Sequence, residues 1–150
     1  MEPMLIALEE AKKALDEGEI PVGAVLVRGD EILWADHNRR EQTGDPTAHA
    51  EILCLREGAR KAGDWRLSDC DLYVTLEPCP MCAGALVMSR VRTCVYGAAD
   101  PACGCCGSVY DLPADPALHS SARWRAGDRE AECAELLSAF FARRRDGLPK

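Results

Sequence analysis

His49-Ala50-Glu51 and, thirty positions after the histidine, Pro78-Cys79-Pro80-Met81-Cys82 are the residues whose types and spacing best suit chemistry. One imidazole and two thiols can hold a zinc ion and leave its fourth position open to water, which is the ligand count of a catalytic site rather than a structural one. Glu51 sharpens the reading, because a carboxylate beside an activated water can carry protons without being a ligand. Duller readings compete. The same side chains could close a structural zinc site, or two buried cysteines could lie near an unrelated histidine, but the adjacent glutamate weighs against both. A thioredoxin-like redox pair at Cys79 and Cys82 leaves His49 and Glu51 unexplained.

Cys79 and Cys82 are three apart and share one helical face. His49 and Glu51 are two apart and cannot share one, so they converge on an ion only if it lies off the N-terminal end of their helix. Two helices would then aim positive dipole ends at the metal, which favours thiolate ligands and hydroxide.

The pattern around these residues predicts the elements that must hold them. Leu5, Ile6, Leu8, Ala11 and Leu15 have helical spacing, with Gly18 as the stop. A β-branched run at 22–27, the turn Gly29-Asp30 and a return at 31–35 read as a hairpin. Arg28-Gly29-Asp30 is turn chemistry. Residues 38–46 read as a polar loop, with Asp45 and Thr47 as alternative caps around Pro46 at an early position of a helix spanning 49–62 and closed by Gly63. Strands are expected at 72–76 and 92–96, with a helix at 79–89 entered through Cys79-Pro80, together fitting a βαβ crossover. Residues 98–121 read as mostly loop with a short helical piece near Val109, followed by a strand at 122–126 and a helix at 128–145. This order suggests one sheet covered by helices on both faces, within a single domain, 1–150.

Composition narrows the setting. With 47% hydrophobic residues, 150 residues suffice for one core. The absence of a long apolar run or basic leader predicts no membrane span and a cytoplasmic protein. Nine cysteines, an odd number, then read as reduced thiols, some of them ligands. A net charge of −7 argues against broad adhesion to nucleic acid. It leaves room for a local basic surface, and Arg143-Arg144-Arg145 with Lys150, just after Phe140-Phe141, is the candidate.

Three strings carry a family resemblance: Glu19-Ile20-Pro21-Val22-Gly23-Ala24-Val25, Asp45-Pro46-Thr47-Ala48-His49-Ala50-Glu51-Ile52, and Tyr73-Val74-Thr75-Leu76-Glu77-Pro78-Cys79-Pro80-Met81-Cys82-Ala83-Gly84-Ala85. The zinc signature within them is that of the zinc-dependent base deaminases, and the whole chain resembles the bacterial tRNA-specific adenosine deaminases. The resemblance implies a three-layer α/β/α cytidine-deaminase-like fold with a central mixed sheet of about five strands, helices on both faces and a homodimer. It implies conversion of adenosine to inosine at the wobble position of an arginine tRNA anticodon, the substrate being the anticodon stem-loop. His49, Cys79 and Cys82 would ligate one zinc per chain, and Glu51 would shuttle protons. Asn38 would hydrogen-bond the flipped base, with Ile20, Val22 and Leu76 as apolar walls and Asp100 beside the preceding nucleotide. Phe140, Phe141, Arg143 and Arg144 would be further substrate contacts. The plainer alternatives are core packing for the three apolar residues, an ordinary loop residue at Asn38, a local turn cap at Asp100 and a solvated helix end at the arginines.

The same zinc chemistry would also serve a deaminase of free guanine, cytosine or a nucleoside, and a non-catalytic zinc-binding subunit is the rival from another class. Two positions depart from the family pattern. Arg40 stands where relatives often carry proline. Cys103-Gly104-Cys105-Cys106 replaces small and polar residues, and reads as cysteine used as a small residue in a tight loop rather than a second metal site or oxidation sensor. Cys54, Cys70, Cys94 and Cys133 are expected in or near the core, and Trp34, Trp65 and Trp124 as packing residues. His37 and His119 are given no role.

Overall fold

Alternation along one central strand divides the molecule into two cores. In the computed structural model, which describes residues 1–146, β1 (Gly23–Arg28) turns Ala24 and Leu26 to one face and Val25 and Val27 to the other. The first pair packs with residues of α3 (Ala50–Ala62) and α4 (Pro80–Ser89), including Cys54, Leu55, Ala83 and Leu86. The second packs with Met4, Ala7 and Leu8 of α1 (Pro3–Asp16) and Cys133 of α5 (Glu130–Arg145). Three layers result, as expected.

The sheet has five strands in the order β2-β1-β3-β4-β5, with β2 Glu31–His37, β3 Asp71–Leu76, β4 Thr93–Ala98 and β5 Arg123–Arg125. β1 runs antiparallel to β2 and β3, whereas β3, β4 and β5 are mutually parallel. The ends of β2, β3 and β4 and the start of β1 therefore lie at one edge. Asn38, Cys79, Asp100 and Ile20 follow or precede those strands directly, which brings four distant stretches of chain together.

α1 reaches the sheet closely because its buried stripe is Met4, Ala7, Leu8, Ala11 and Ala14, mostly small residues. Gly23 completes the fit, since a Cβ there would collide with the Ala7 carbonyl and the Ala11 nitrogen. Leu5, expected on the inner face, is 38% exposed. Among the described residues no helix is long and apolar enough to cross a membrane.

Several expectations need correction. The loop at 38–46 contains a single helical turn, α2 (Arg40–Thr43), whose backbone N–H groups at Glu41 and Gln42 donate to buried Glu19 at 3.0 and 2.7 Å. Its cap comes from a residue far back in the chain, beyond the reach of local sequence signals. Pro46 lies outside α3; His49 is the N-cap, and Asp45 instead closes the preceding turn by accepting from the Thr47 N–H (2.8 Å) and hydroxyl (2.7 Å). No helix forms at Val109, where an antiparallel bridge joins Cys106 to Asp111, and a short 3-10 turn appears later at Pro116–Leu118. Trp65 is not a packing residue but lies 51% exposed beneath the guanidinium groups of Arg66 and Arg90. Cys54, Cys70, Cys94 and Cys133 are buried as expected. Lys150, part of the expected basic cluster, lies outside the described residues.

Candidate active site

His49 and Cys79 occupy equivalent places at the N-caps of α3 and α4, both with extended backbone. Pro80 starts α4 with its fixed φ and missing donor, and Cys82 follows on the first turn. The two helix starts face each other, with His49 Nδ1 3.5 Å from Cys79 Sγ and 3.5 Å from Cys82 Sγ. For zinc–sulfur and zinc–nitrogen bonds of about 2.3 and 2.05 Å, a tetrahedral site has an N···S edge of about 3.6 Å. The donor set and spacing fit zinc. The other grouping with metal-ligand atoms, Glu10, Asp36 and His37, is already satisfied internally: His37 bridges Glu10 and Glu17 at 2.9 Å each, and Arg39 pairs with Asp36 at 2.8 Å.

Electrostatics favour an ionised Cys79 sulfur and a proton-carrying carboxylate. A hydrogen bond from Cys82, reinforced by His49, holds the Cys79 thiol down at about 4. Cys82 is pushed up by that same shared proton and by burial. The bond to Cys79 also raises His49. Glu51 is 4% exposed on the first turn of α3, and burial, aided by the neighbouring Cys79 charge, pushes its carboxyl up to about 7. A group poised there can both accept and release a proton near neutrality.

Above these residues opens a cavity of about 160 Å³. Ile20, Val22 and Leu76 form apolar wall, and Asn38, His49, Glu51, Cys79 and Asp100 also line it. Asn38 is oriented by two backbone contacts, accepting from Arg40 N at 3.1 Å and donating to Ile20 O at 3.4 Å. Val22 also belongs to the apolar core, so for this residue packing and pocket wall are one role. Asp100 likewise combines two, since Oδ1 caps its own turn through Ala102 N (3.1 Å) and Cys103 N (3.2 Å) while the residue borders the cavity.

The C-terminal residues divide. Phe140 and Arg144 line a second recess of about 30 Å³ that adjoins the main cavity through shared Ile20, Asn38 and Arg40. Phe140 is buried beneath Arg144, whereas Phe141 stands edge-on to it, 45% exposed. Phe141 and Arg143 line neither cavity. Sequence reasoning overlooked Arg40, Glu77 and Cys103 as lining residues. Arg40 and Cys103 had been noticed only as departures. For Glu77 a signal existed, an acidic residue ending a strand immediately before the Pro-Cys ligand segment.

A catalytic-type zinc triad at paired helix starts, with a buried proton carrier beneath a base-sized cavity at the carboxyl edge of a mixed sheet, defines a zinc-dependent hydrolytic deaminase. In agreement, the profile of the cytidine and deoxycytidylate deaminase zinc-binding region matches residues 2–98. The tRNA-specific adenosine deaminase of Bacillus subtilis (strain 168) is 50% identical over 135 residues, covering 90% of this chain and 84% of that one, and the chain belongs to the tRNA-specific adenosine deaminase family. A solved structure from work on A-to-I editing by tRNA:A34 deaminases superposes with a TM-score of 0.87 at 41% identity, covering 90% of this chain and 98% of that chain. The guanine deaminase from Nitrosomonas europaea shares the fold more distantly, with a TM-score of 0.77, 27% identity and 93% and 83% coverage.

Proposed function

We propose that the protein deaminates adenosine to inosine at the wobble position of a tRNA anticodon, with arginine tRNA as its substrate. The observation that carries this reading is the cavity itself, which sets Asn38 and apolar walls over Glu51 and the His49, Cys79 and Cys82 triad. A site of this depth takes one base out of its stack, so the natural substrate is a single-stranded loop. Bound zinc supplies a water acidic enough to attack at neutral pH. Glu51, beside the residues that would hold the metal, is placed to take a proton from the attacking water and pass it to a ring nitrogen of the purine as the C6–oxygen bond forms. Glu51 then takes the proton of the new C6 hydroxyl and delivers it to the amino group, so that the C6–nitrogen bond breaks as the C6 carbonyl forms and ammonia leaves. Asn38 holds the base edge, and Ile20, Val22 and Leu76 exclude bulk water. Asp100 accepts from the ribose of the preceding nucleotide, while Phe141, Arg143 and Arg144 contact the RNA strand beyond.

The buried position of Glu51 supports an enzyme over a non-catalytic zinc-binding subunit, which has no use for a proton carrier there. A homodimer is proposed on the family resemblance and on exposed apolar surface: Trp65, Met88 (75% exposed) and Leu118 line one recess of about 340 Å³ at the C-terminal end of α4. The proposed location is the cytoplasm. Ammonia release from an anticodon stem-loop, compared with free adenosine, adenine, guanine and cytidine, tests the function. The stem-loop should react far faster than any free compound, because contacts to flanking nucleotides position the base. Faster turnover of free guanine would overturn the assignment in favour of a free-base deaminase.

A further inference from the structure

The carboxylate of Glu77 is 2% exposed and takes no part in the chemistry described above, yet it accepts four hydrogen bonds. Oε1 accepts from the Asp100 N–H at 2.9 Å and from the Ser108 hydroxyl, and Oε2 accepts from the N–H groups of Cys106 (3.1 Å) and Ser108 (3.0 Å). All four donors belong to the segment that follows β4. That segment consists of turns and one isolated bridge rather than a helix or strand, and it carries Asp100 and Cys103 into the wall of the cavity. Gly104 lies directly over the carboxylate, where any Cβ would overlap it. The neighbouring Pro78 carbonyl adds a bond from Cys105 N at 2.8 Å, and the Glu77 N–H donates to Ala98 O at 2.9 Å. Burial alone would raise this acid, but the bonds from Ser108, Asp100 and Cys106 hold it below the usual carboxylate range.

We infer that Glu77 is a positioning residue for RNA: by gathering the 98–108 segment around one carboxylate, it sets Asp100 against the nucleotide preceding the target base. The inference rests on the proposed function and deepens it. Glu77 sits two residues before the ligand Cys79, so one short stretch of chain places both the metal and the wall that reads the neighbouring nucleotide. Selectivity for a base embedded in RNA then depends on an acid whose carboxylate is bonded to the protein's own loop. Glutamine is the informative substitution, because it keeps the shape but sets an NH2 group against backbone N–H donors, breaking at least part of the cluster.

The test is a double-mutant cycle on the anticodon stem-loop with zinc-loaded protein, following KM, kcat, zinc content and melting temperature. Glu77→Gln should lower kcat/KM on the order of tenfold, mainly through KM, with about one zinc retained. Asp100→Ala should do the same, and the double variant should be no worse than the poorer single one, since both remove one contact. Ser108→Ala, which deletes one donor and leaves three backbone bonds, should shift KM in the same direction by less and provides the test if Glu77→Gln does not fold. Additive losses with Asp100→Ala, or a fall in kcat and zinc without a change in KM, would overturn the inference and leave Glu77 a purely structural acid. A parent protein inactive on the stem-loop would instead overturn the proposed function beneath it.

Discussion

Glu51 and His49 are two positions apart in sequence and separable in function. Glu51→Ala removes the proton carrier and no ligand, so the variant should keep about one zinc per chain and lose nearly all turnover. His49→Ala should lose both, and metal analysis beside a single-turnover assay distinguishes the two. The cysteine-rich loop divides in a similar way. Cys103 is exposed, and Cys103→Ser should leave zinc content and melting temperature at the parent's values. Cys106 is fully buried with Tyr96 and Trp124 in the same core, so Cys106→Ser places a hydroxyl in apolar surroundings and should cost about 1–3 kcal/mol, read by denaturant unfolding.

Among the elements, α5 is the one whose surface must meet RNA if the charge argument holds. With a net charge of −7 the protein gains no help from its overall field, so neutralising Arg143, Arg144 and Arg145 should weaken stem-loop binding and flatten its salt dependence. Each lost phosphate contact lowers the slope of log K against log salt by about 0.7 on single-stranded RNA. An unchanged slope would make the cluster a solvated helix end. The starts of α3 and α4 show why so much was legible in the sequence: Cys79-Pro80 and Gly63 act within one turn of themselves, and zinc ligands announce their chemistry by type and spacing. α2 was not legible, because Glu19 caps it from another part of the chain. Pro46 misled, since a proline that suits a helix start also suits the turn that Asp45 closes. The lining roles of Arg40, Glu77 and Cys103 depend on which strand ends meet at one edge, and that is a property of strand order.

For the whole molecule, the metal ties two helices whose sequences lie thirty residues apart. A ligand bound only by the folded state stabilises it, so a chelator should lower the melting temperature of the parent and have no effect on His49→Ala. Acid loosens that tie by protonating the ligands, and it acts elsewhere as well. Asp36, despite burial, is held below the usual carboxylate range by Arg39, the His37 N–H and Trp34, and Glu17 is held there by Gln42 and His37. A carboxylate lowered in the folded state contributes stability that is complete above its unfolded value and lost as pH falls through the folded one. The melting temperature should therefore fall steeply below about pH 4, the ordinary carboxylate range. The edge of the sheet separates two tasks: helix starts hold the metal, while the stretches around Ile20, Asn38 and Asp100 form much of the wall, and the end of α5 borders the recess beside it. Under inheritance with variation the parts of the wall outside the Glu77–Cys79 stretch can be rewritten one residue at a time while the reaction centre is left alone. Related lineages can therefore part company over which nucleobase they accept while keeping one catalyst.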